Sequence, residues 1–193
     1  MNNHFRTKHS VTTILGVVVM LFLCIACGGN QKPEVSNEIV DNRGETPRLR
    51  VNEITTLISD SGITRYRITA PKWLVFDKAE EPYWDFPEGL HLESFDEQFH
   101  IEAEVDCRRA RYYEQRKLWQ LDDSVRAMNF QGNRFATQQL FWDQNTERIY
   151  SDSTIIIHQS DKQIIGEGFE SNQSMTRYTI RKTRGIIPID PNE

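Results

Sequence analysis

Hydrophobic and polar residues alternate with a period of two along most of the chain from Val51 onward. The clearest example is Ile101 to Asp106, where apolar residues occupy the odd positions and acidic residues the even ones. The segment Ile63 to Ala70 alternates in the same way and is rich in β-branched residues. A period of two places one set of side chains on each face of a β-strand. The pattern therefore predicts half-buried strands, and no window has the period of an amphipathic helix.

Further strands are predicted where a short apolar, β-branched or aromatic run lies between turn-forming residues such as Asp60-Ser61-Gly62 and Gln131-Gly132-Asn133. Many short strands at this spacing predict an all-β fold, which is a sandwich, a jelly roll or an open roll. The further predicted strands are Ile54–Ser59, Trp73–Phe76, Leu90–Phe95, Lys117–Leu121, Val125–Phe130, Phe135–Trp142, Thr154–His158, Gln163–Phe169 and Arg177–Arg181.

A weak internal repeat of about 30 residues relates two parts of this pattern. Tyr112-Tyr113-Glu114 precedes Leu118-Trp119, and Phe141-Trp142-Asp143 precedes Ile149-Tyr150 in the same way. Each unit is interpreted as a strand pair with an aromatic residue and an acid at its turn. Stacked units of this kind form an elongated roll that ends in sheet edges. The alternative is a chance similarity between two hairpins.

Residues 1–26 have the features of an export signal. Arg6 and Lys8 precede an uninterrupted apolar run from Ile14 to Cys27, and this run is shorter than the roughly 20 residues of a membrane-spanning helix. The small residue before Cys27 makes this site similar to a bacterial lipobox, which implies cleavage before Cys27 and lipidation of that cysteine. The alternative is an uncleaved helix that starts near Val11. Both interpretations deliver the rest of the chain outside the cytoplasm.

The residues after the signal predict a tether and one domain. Residues 27–48 are mostly polar, contain two prolines and lack periodicity, which is typical of a flexible linker. Residues 49–193 have the length of one domain. Because Cys24 leaves with the signal and Cys27 carries lipid, Cys107 remains alone, and no disulfide is predicted.

Composition and motifs exclude several functions. The 193 residues contain 23 Lys and Arg against 28 Asp and Glu, so the chain is too acidic for nucleic-acid binding. The sequence has no phosphate-binding glycine loop, no nucleophile elbow and no histidine pair at metal-ligand spacing. Glu102, Glu104 and Asp106 share one strand face and are interpreted as solvated surface rather than a catalytic pair. We therefore predict no enzymatic activity, no metal and no cofactor.

One basic cluster, Arg108, Arg109 and Arg111, leaves two interpretations open. Arginine can bind phosphate or carboxylate through two parallel hydrogen bonds, so the cluster could meet an anionic ligand. The other interpretation is that it balances the acidic residues nearby.

Segments 51–89, 140–153 and 166–180 closely resemble the LptC family of lipopolysaccharide-export proteins, in the lipoprotein form of Bacteroidetes-type bacteria. The resemblance covers about residues 48–190. The repeat of about 30 residues is similar to the unit shared by LptC, LptA and the N-terminal part of LptD. Better-known LptC proteins have a membrane-spanning helix where this chain has its lipobox-like Cys27.

The resemblance implies an open, V-shaped β-jelly roll with an apolar interior. It also implies a carrier in the periplasm, anchored to the inner membrane, that receives lipopolysaccharide from the ATP-binding-cassette transporter formed by LptB, LptF and LptG. The carrier passes its cargo to LptA by joining sheets edge to edge. The candidate edges are Val51–Ser59, toward LptF and LptG, and Tyr178–Ile189, toward LptA.

A lipid carrier needs an apolar lining, since one acyl chain in water costs on the order of 10 kcal/mol. An alternative function is a structural adaptor of the export bridge that holds no lipid and has polar inward positions. A second alternative is an unrelated β-rich lipoprotein that binds or cleaves glycans. Alternation selects as lining candidates Ile101, Ala103, Val105, Trp119, Leu121, Phe135, Trp142, Ile155, Ile157 and Tyr178.

Overall fold

Eleven antiparallel β-strands make up the part of the chain that the computed structural model describes, residues 44–188. The signal-like segment, Cys27 and residues 28–43 lie outside these residues. No α-helix occurs between residues 44 and 188, so the predicted all-β fold is confirmed. The strands are β1 (Leu49–Asp60), β2 (Ile63–Phe76), β3 (Tyr83–Phe86), β4 (Leu90–Phe95), β5 (Ile101–Cys107), β6 (Arg109–Tyr113), β7 (Leu118–Asn129), β8 (Arg134–Asp143), β9 (Arg148–His158), β10 (Lys162–Asn172) and β11 (Tyr178–Pro188).

The long strands β2 and β7 pair with different neighbours along their two halves. Strand β2 pairs with β4 at Tyr66–Thr69 and with β3 at Leu74–Phe76. Strand β7 pairs with β6 at Leu118–Asp122 and with β5 at Arg126–Asn129. Between β2 and β7 the sheet therefore divides into a first layer, which contains β4 and β5, and a second layer, which contains β3 and β6.

Strands β7 to β10 belong to both layers and change layer at shifts of register. The shift in the β7–β8 pair falls at Asp122/Val125, that in β8–β9 at Thr137/Phe141, and that in β10–β9 at Glu167/Phe169. Asp123 and Ser124, within the first shift, have positive φ angles of 63° and 56°. Extra residues of this kind bend a strand and increase its twist. Strands β7 to β10 thus bend at adjacent positions, and the two layers form a β-jelly roll, as predicted.

The hydrophobic core lies between the two layers. Ile155 and Ile157 on β9 are fully buried, and Phe86 and Phe169 are almost fully buried. The rings of Phe86 and Trp119 stack with centroids 5.8 Å apart, and stacking continues to Trp142 at 6.5 Å. Stacked aromatic rings add to the free energy gained by removing their surface from water.

Several predicted strands are correct in position but incomplete in extent. The segments Ile63–Ala70 and Trp73–Phe76 are one strand that continues through Pro71, and Lys117–Leu121 and Val125–Phe130 belong largely to β7. Strands β3 and β6 were not predicted.

The turns before β7 and β9 share a geometry, because Lys117 and Glu147, 30 residues apart, have φ angles of 51° and 54°. This agreement favours a true repeat over chance similarity.

Strands β1 and β11 are the two ends of the sheet. Among the described strands, β1 pairs only with β2, and β11 pairs only with β10. Each end strand therefore has backbone N–H and C=O groups without partners among residues 44–188 along its outer side. The two predicted edge segments lie in these strands, except Ile189, which is outside the described residues.

Candidate functional site

A cavity of about 570 Å³ opens between the two layers on the side opposite the line of register shifts. We call this opening the mouth of the roll. Charged residues from both layers, Asp60, Arg65, Glu102, Glu104, Lys117 and Glu147, form its rim. Its apolar wall consists of Ile58, Tyr66, Leu92, Phe95, Ala103, Val105, Tyr112, Leu121, Leu140, Trp142, Ile149 and Met175. The site is thus a groove that combines an apolar wall with polar and charged residues.

Eight of the ten predicted lining residues are buried between the layers: Ala103, Val105, Trp119, Leu121, Phe135, Trp142, Ile155 and Ile157. Four of these, Ala103, Val105, Leu121 and Trp142, also contact the cavity. The other four lie deeper in the core. Tyr178 is half-buried and packs its ring edge-on against Phe135, with centroids 5.6 Å apart.

Ile101 differs from the prediction, because its side chain is 43% exposed rather than inward. It is the first residue of β5 and pairs with Phe95 just beyond a register shift in the β4–β5 ladder. Simple alternation does not continue through such a shift.

Trp142 and Tyr66 form the aromatic part of the groove wall and contact each other across the two layers. Their ring centroids lie 5.1 Å apart in an edge-on arrangement. Burial raises the pKa of Tyr66 above its ordinary value, which keeps the phenol neutral and able to donate a hydrogen bond. The buried indole Nε1–H of Trp142 has no acceptor among residues 44–188. The wall therefore offers the neutral phenol of Tyr66 within an apolar surface, whereas the N–H of Trp142 is covered by protein atoms.

Other wall residues were not among the lining candidates. Alternation within β4, β8 and β9 gives a usable signal for Leu92, Leu140 and Ile149, since each shares a face with a buried neighbour two residues away. Met175 has no such signal, because it lies in the loop between β10 and β11.

The charged residues of the outer faces are largely paired. Arg111 donates to Asp85 at 3.2 Å, and Arg108 lies 4.0 Å from Asp123, which supports the charge-balancing interpretation of the basic cluster. Arg67 donates two hydrogen bonds to Glu93, whose side chain is 8% exposed. No group of three potential metal ligands occurs within residues 44–188.

Comparison with known proteins agrees with this architecture. A family model described as "Lipopolysaccharide-assembly, LptC-related" matches residues 17–187. The chain belongs to the LptC family. As an LptC family member it has a role in lipopolysaccharide transport, in a family associated with the periplasm and the inner membrane. The comparison with curated proteins finds no match to this chain. Residues 44–188 of this LptC family member include no apolar helix of membrane-spanning length.

Proposed function

We propose that this LptC family member is a membrane-tethered carrier that holds lipopolysaccharide by its acyl chains in the groove. It receives the lipid from LptF and LptG of the LptB-powered transporter and passes it to LptA. The observation that carries this proposal is the cavity of about 570 Å³, with an apolar wall, in a roll whose sheet has a free strand at both ends. The chain itself supplies no energy and catalyses no reaction.

The groove suits the acyl chains of an amphiphile, and its rim carries both cations and carboxylates. Moving one acyl chain from water into an apolar wall gains on the order of 10 kcal/mol, at about 0.8 kcal/mol per methylene group. Arg65 and Lys117 on the rim can meet phosphate groups, which arginine binds through two parallel hydrogen bonds.

Both end strands expose apolar side chains, which supports edge-to-edge assembly. Leu57 on β1 is 54% exposed, and Ile186 and Ile187 on β11 are 61% and 50% exposed. An added strand would satisfy the free backbone groups and cover these side chains together. We assign LptF and LptG to the β1 end and LptA to the β11 end.

Photoreactive residues on the two end strands test this assignment in cells. A residue at Leu57 should cross-link to LptF or LptG, and one at Ile186 should cross-link to LptA. Cross-links with the partners exchanged would reverse the assignment, and an absence of cross-links at both positions would contradict edge pairing.

The same proposal places a lipid on Cys27, after cleavage of residues 1–26. In this proposal the residues between Cys27 and β1 link the lipid to the domain and let the domain reach the transporter. Labelling cells with an alkyne analogue of palmitate should mark the wild-type chain and leave a Cys27→Ser variant unlabelled. An unlabelled wild-type chain that keeps its N-terminus would favour the uncleaved helix.

In-cell photocrosslinking tests whether the groove holds lipid. A photoreactive phenylalanine analogue at Trp142, on the groove wall, should form an adduct with lipopolysaccharide. Phe141 is the matched control, because it is the adjacent aromatic residue on the opposite face of β8 and stacks on Tyr150 there. An adduct at neither position, in a well-folded and well-expressed chain, would contradict the carrier and leave the adaptor. Equal adducts at both would show that the contact is not specific to the groove.

A further inference from the structure

The loop between β10 and β11, residues 173–177, crosses the mouth of the roll. It follows Asn172, the last residue of β10. Asn172 pairs with Arg148 on β9, and Arg148 pairs with Asp143 on β8, so the loop starts at the end of the second layer. The turn after Asn129 lies at the end of the first layer, because Asn129 pairs with Ala103 on β5. We call residues 173–177 the strap.

Two hydrogen bonds join the opposite ends of the layers at this place. The Asn129 side chain donates from Nδ2 to the carbonyl oxygen of Met175 at 2.9 Å. Gln159, in the turn after β9 at the first-layer end, donates from Nε2 to the hydroxyl of Tyr178 at 3.0 Å. Tyr178 opens β11 at the second-layer end. Both bonds therefore span the mouth on the side of the roll nearest β11.

Met175 fills the space beneath the strap. Its side chain is 2% exposed, belongs to the hydrophobic core and forms part of the cavity wall. Its backbone has a φ angle of 50°, which is uncommon for a residue with a side chain. Burial of an apolar side chain in a strained loop indicates that the surrounding contacts hold it there.

The strap is itself an ordered unit. Oδ1 of Asn172 accepts hydrogen bonds from the backbone N–H groups of Thr176 and Arg177, at 3.1 and 2.9 Å. The N–H of Met175 donates to the carbonyl oxygen of Asn172 at 3.0 Å. Because these bonds lie within the loop, breaking the two bonds across the mouth can move the strap without unfolding it.

We propose that the strap is a gate that closes the groove at its β11 end and opens when acyl chains enter. This inference rests on the proposed carrier function. A volume of about 570 Å³ suits one drug-sized ligand, whereas a lipid with several acyl chains needs more room. A lipid that leaves at the β11 edge must also pass the place that Met175 occupies. Opening the strap supplies both the space and the path.

The test uses a substitution that removes the bond across the mouth and keeps the acceptor that orders the turn. Oδ1 of Asn129 accepts from the N–H groups of Gln131 and Asn133, and Asn129→Asp keeps that acceptor but replaces the donor to Met175 with an anionic oxygen. Asn133→Asp is the matched control, since it adds the same charge within the same turn. Tyr178→Phe is a second, milder variant that keeps the aromatic ring and removes the hydroxyl bonded to Gln159.

The readout is the rate at which hydrogen peroxide oxidises Met175 in the full chain, measured by peptide mass spectrometry. Half-buried Met128 serves as the internal reference. We expect oxidation of Met175 to be about tenfold faster in Asn129→Asp and about fivefold faster in Tyr178→Phe, with Asn133→Asp unchanged. Oxidation of Met175 at the wild-type rate in both Asn129→Asp and Tyr178→Phe would overturn the gate.

A second arm adds lipopolysaccharide to the chain that carries the photoreactive residue at position 142 and is otherwise unchanged, and it follows adduct formation and Met175 oxidation together. Adduct formation with faster oxidation of Met175 supports the gate. Adduct formation with unchanged oxidation overturns the gate and leaves the carrier intact. No adduct overturns the carrier, and with it the gate's role in loading.

Discussion

Three consecutive isoleucines on β9 allow a direct test of the register that builds the groove. Ile155 and Ile157 are fully buried between the layers, whereas Ile156 lies on the outer face and is half-buried. Replacing any of them with alanine removes the same atoms and the same β-branched character. The three substitutions therefore differ only in what surrounds the side chain.

The magnitudes follow from burial. An inward isoleucine loses about 2.4 kcal/mol of transfer free energy, at about 0.8 kcal/mol per carbon, and leaves a cavity that costs about 1 kcal/mol more. Ile155→Ala and Ile157→Ala should each lower the free energy of unfolding by about 3 to 4 kcal/mol. Ile156→Ala should lower it by about 1 kcal/mol, because half of its surface is already in water and no cavity forms.

Urea unfolding of the exported chain, followed by tryptophan fluorescence, measures these differences. With a slope of about 2 kcal/mol per molar urea, the inward variants should unfold at about 1 M less urea than Ile156→Ala. Equal midpoints for all three, or a larger loss for Ile156→Ala, would refute the register of β9 and the inward face assigned to it.

Three further predictions concern single sites outside the groove wall. Burial raises the pKa of the Cys107 thiol to about 12. A thiol reagent at about pH 8 should therefore label the unfolded chain and leave the folded chain unlabelled. Rapid labelling of the folded chain would contradict this burial. Gly89 has a φ angle of 91°, and an added methyl group would overlap the carbonyl oxygen of Cys107, so Gly89→Ala should cost about 3 kcal/mol by urea unfolding. Gly62→Ala is its control, because Gly62 has a φ angle of 83° but open space around it, and it should cost only about 1 to 2 kcal/mol. The hydrogen bond from Arg67 holds the pKa of the Glu93 carboxyl below its ordinary value of 4.5. The ion pair therefore contributes fully to the free energy of unfolding above that value, and its contribution is lost as the pH falls through the lower pKa of the folded state. Glu93→Gln should therefore lose less stability than the wild type between about pH 5 and about pH 3, and parallel losses would contradict the pairing.

The sequence was sufficient for the fold class because most strands have one buried face. Residues such as Ala103 and Val105 alternate with acids, and that period survives in the structure. Local periodicity could not show that β2 continues through Pro71, or that Asp123 and Ser124 bend β7 from one layer to the other. These features depend on partner strands that are distant in sequence.

The groove was less predictable than the core. An inward residue can lie in the packed interior, as Ile157 does, or on the cavity wall, as Trp142 does, and alternation cannot distinguish the two. The contribution of Met175 depends on a loop that crosses between layers and on Asn129, which is 46 residues away in sequence. No local pattern encodes a contact of that kind.

The energies of the strap and the cargo are compatible with a gate. Each of the two hydrogen bonds across the mouth contributes about 1 kcal/mol, and burial of the Met175 side chain contributes about 2 kcal/mol. Opening the strap thus costs about 4 kcal/mol, which keeps the β11 end of the empty groove closed. An acyl chain left in water costs on the order of 10 kcal/mol, so a chain that the transporter delivers is more stable in the opened groove than in water. The strap is therefore strong enough to stay shut without lipid and weak enough to open for a chain whose alternative is exposure to water.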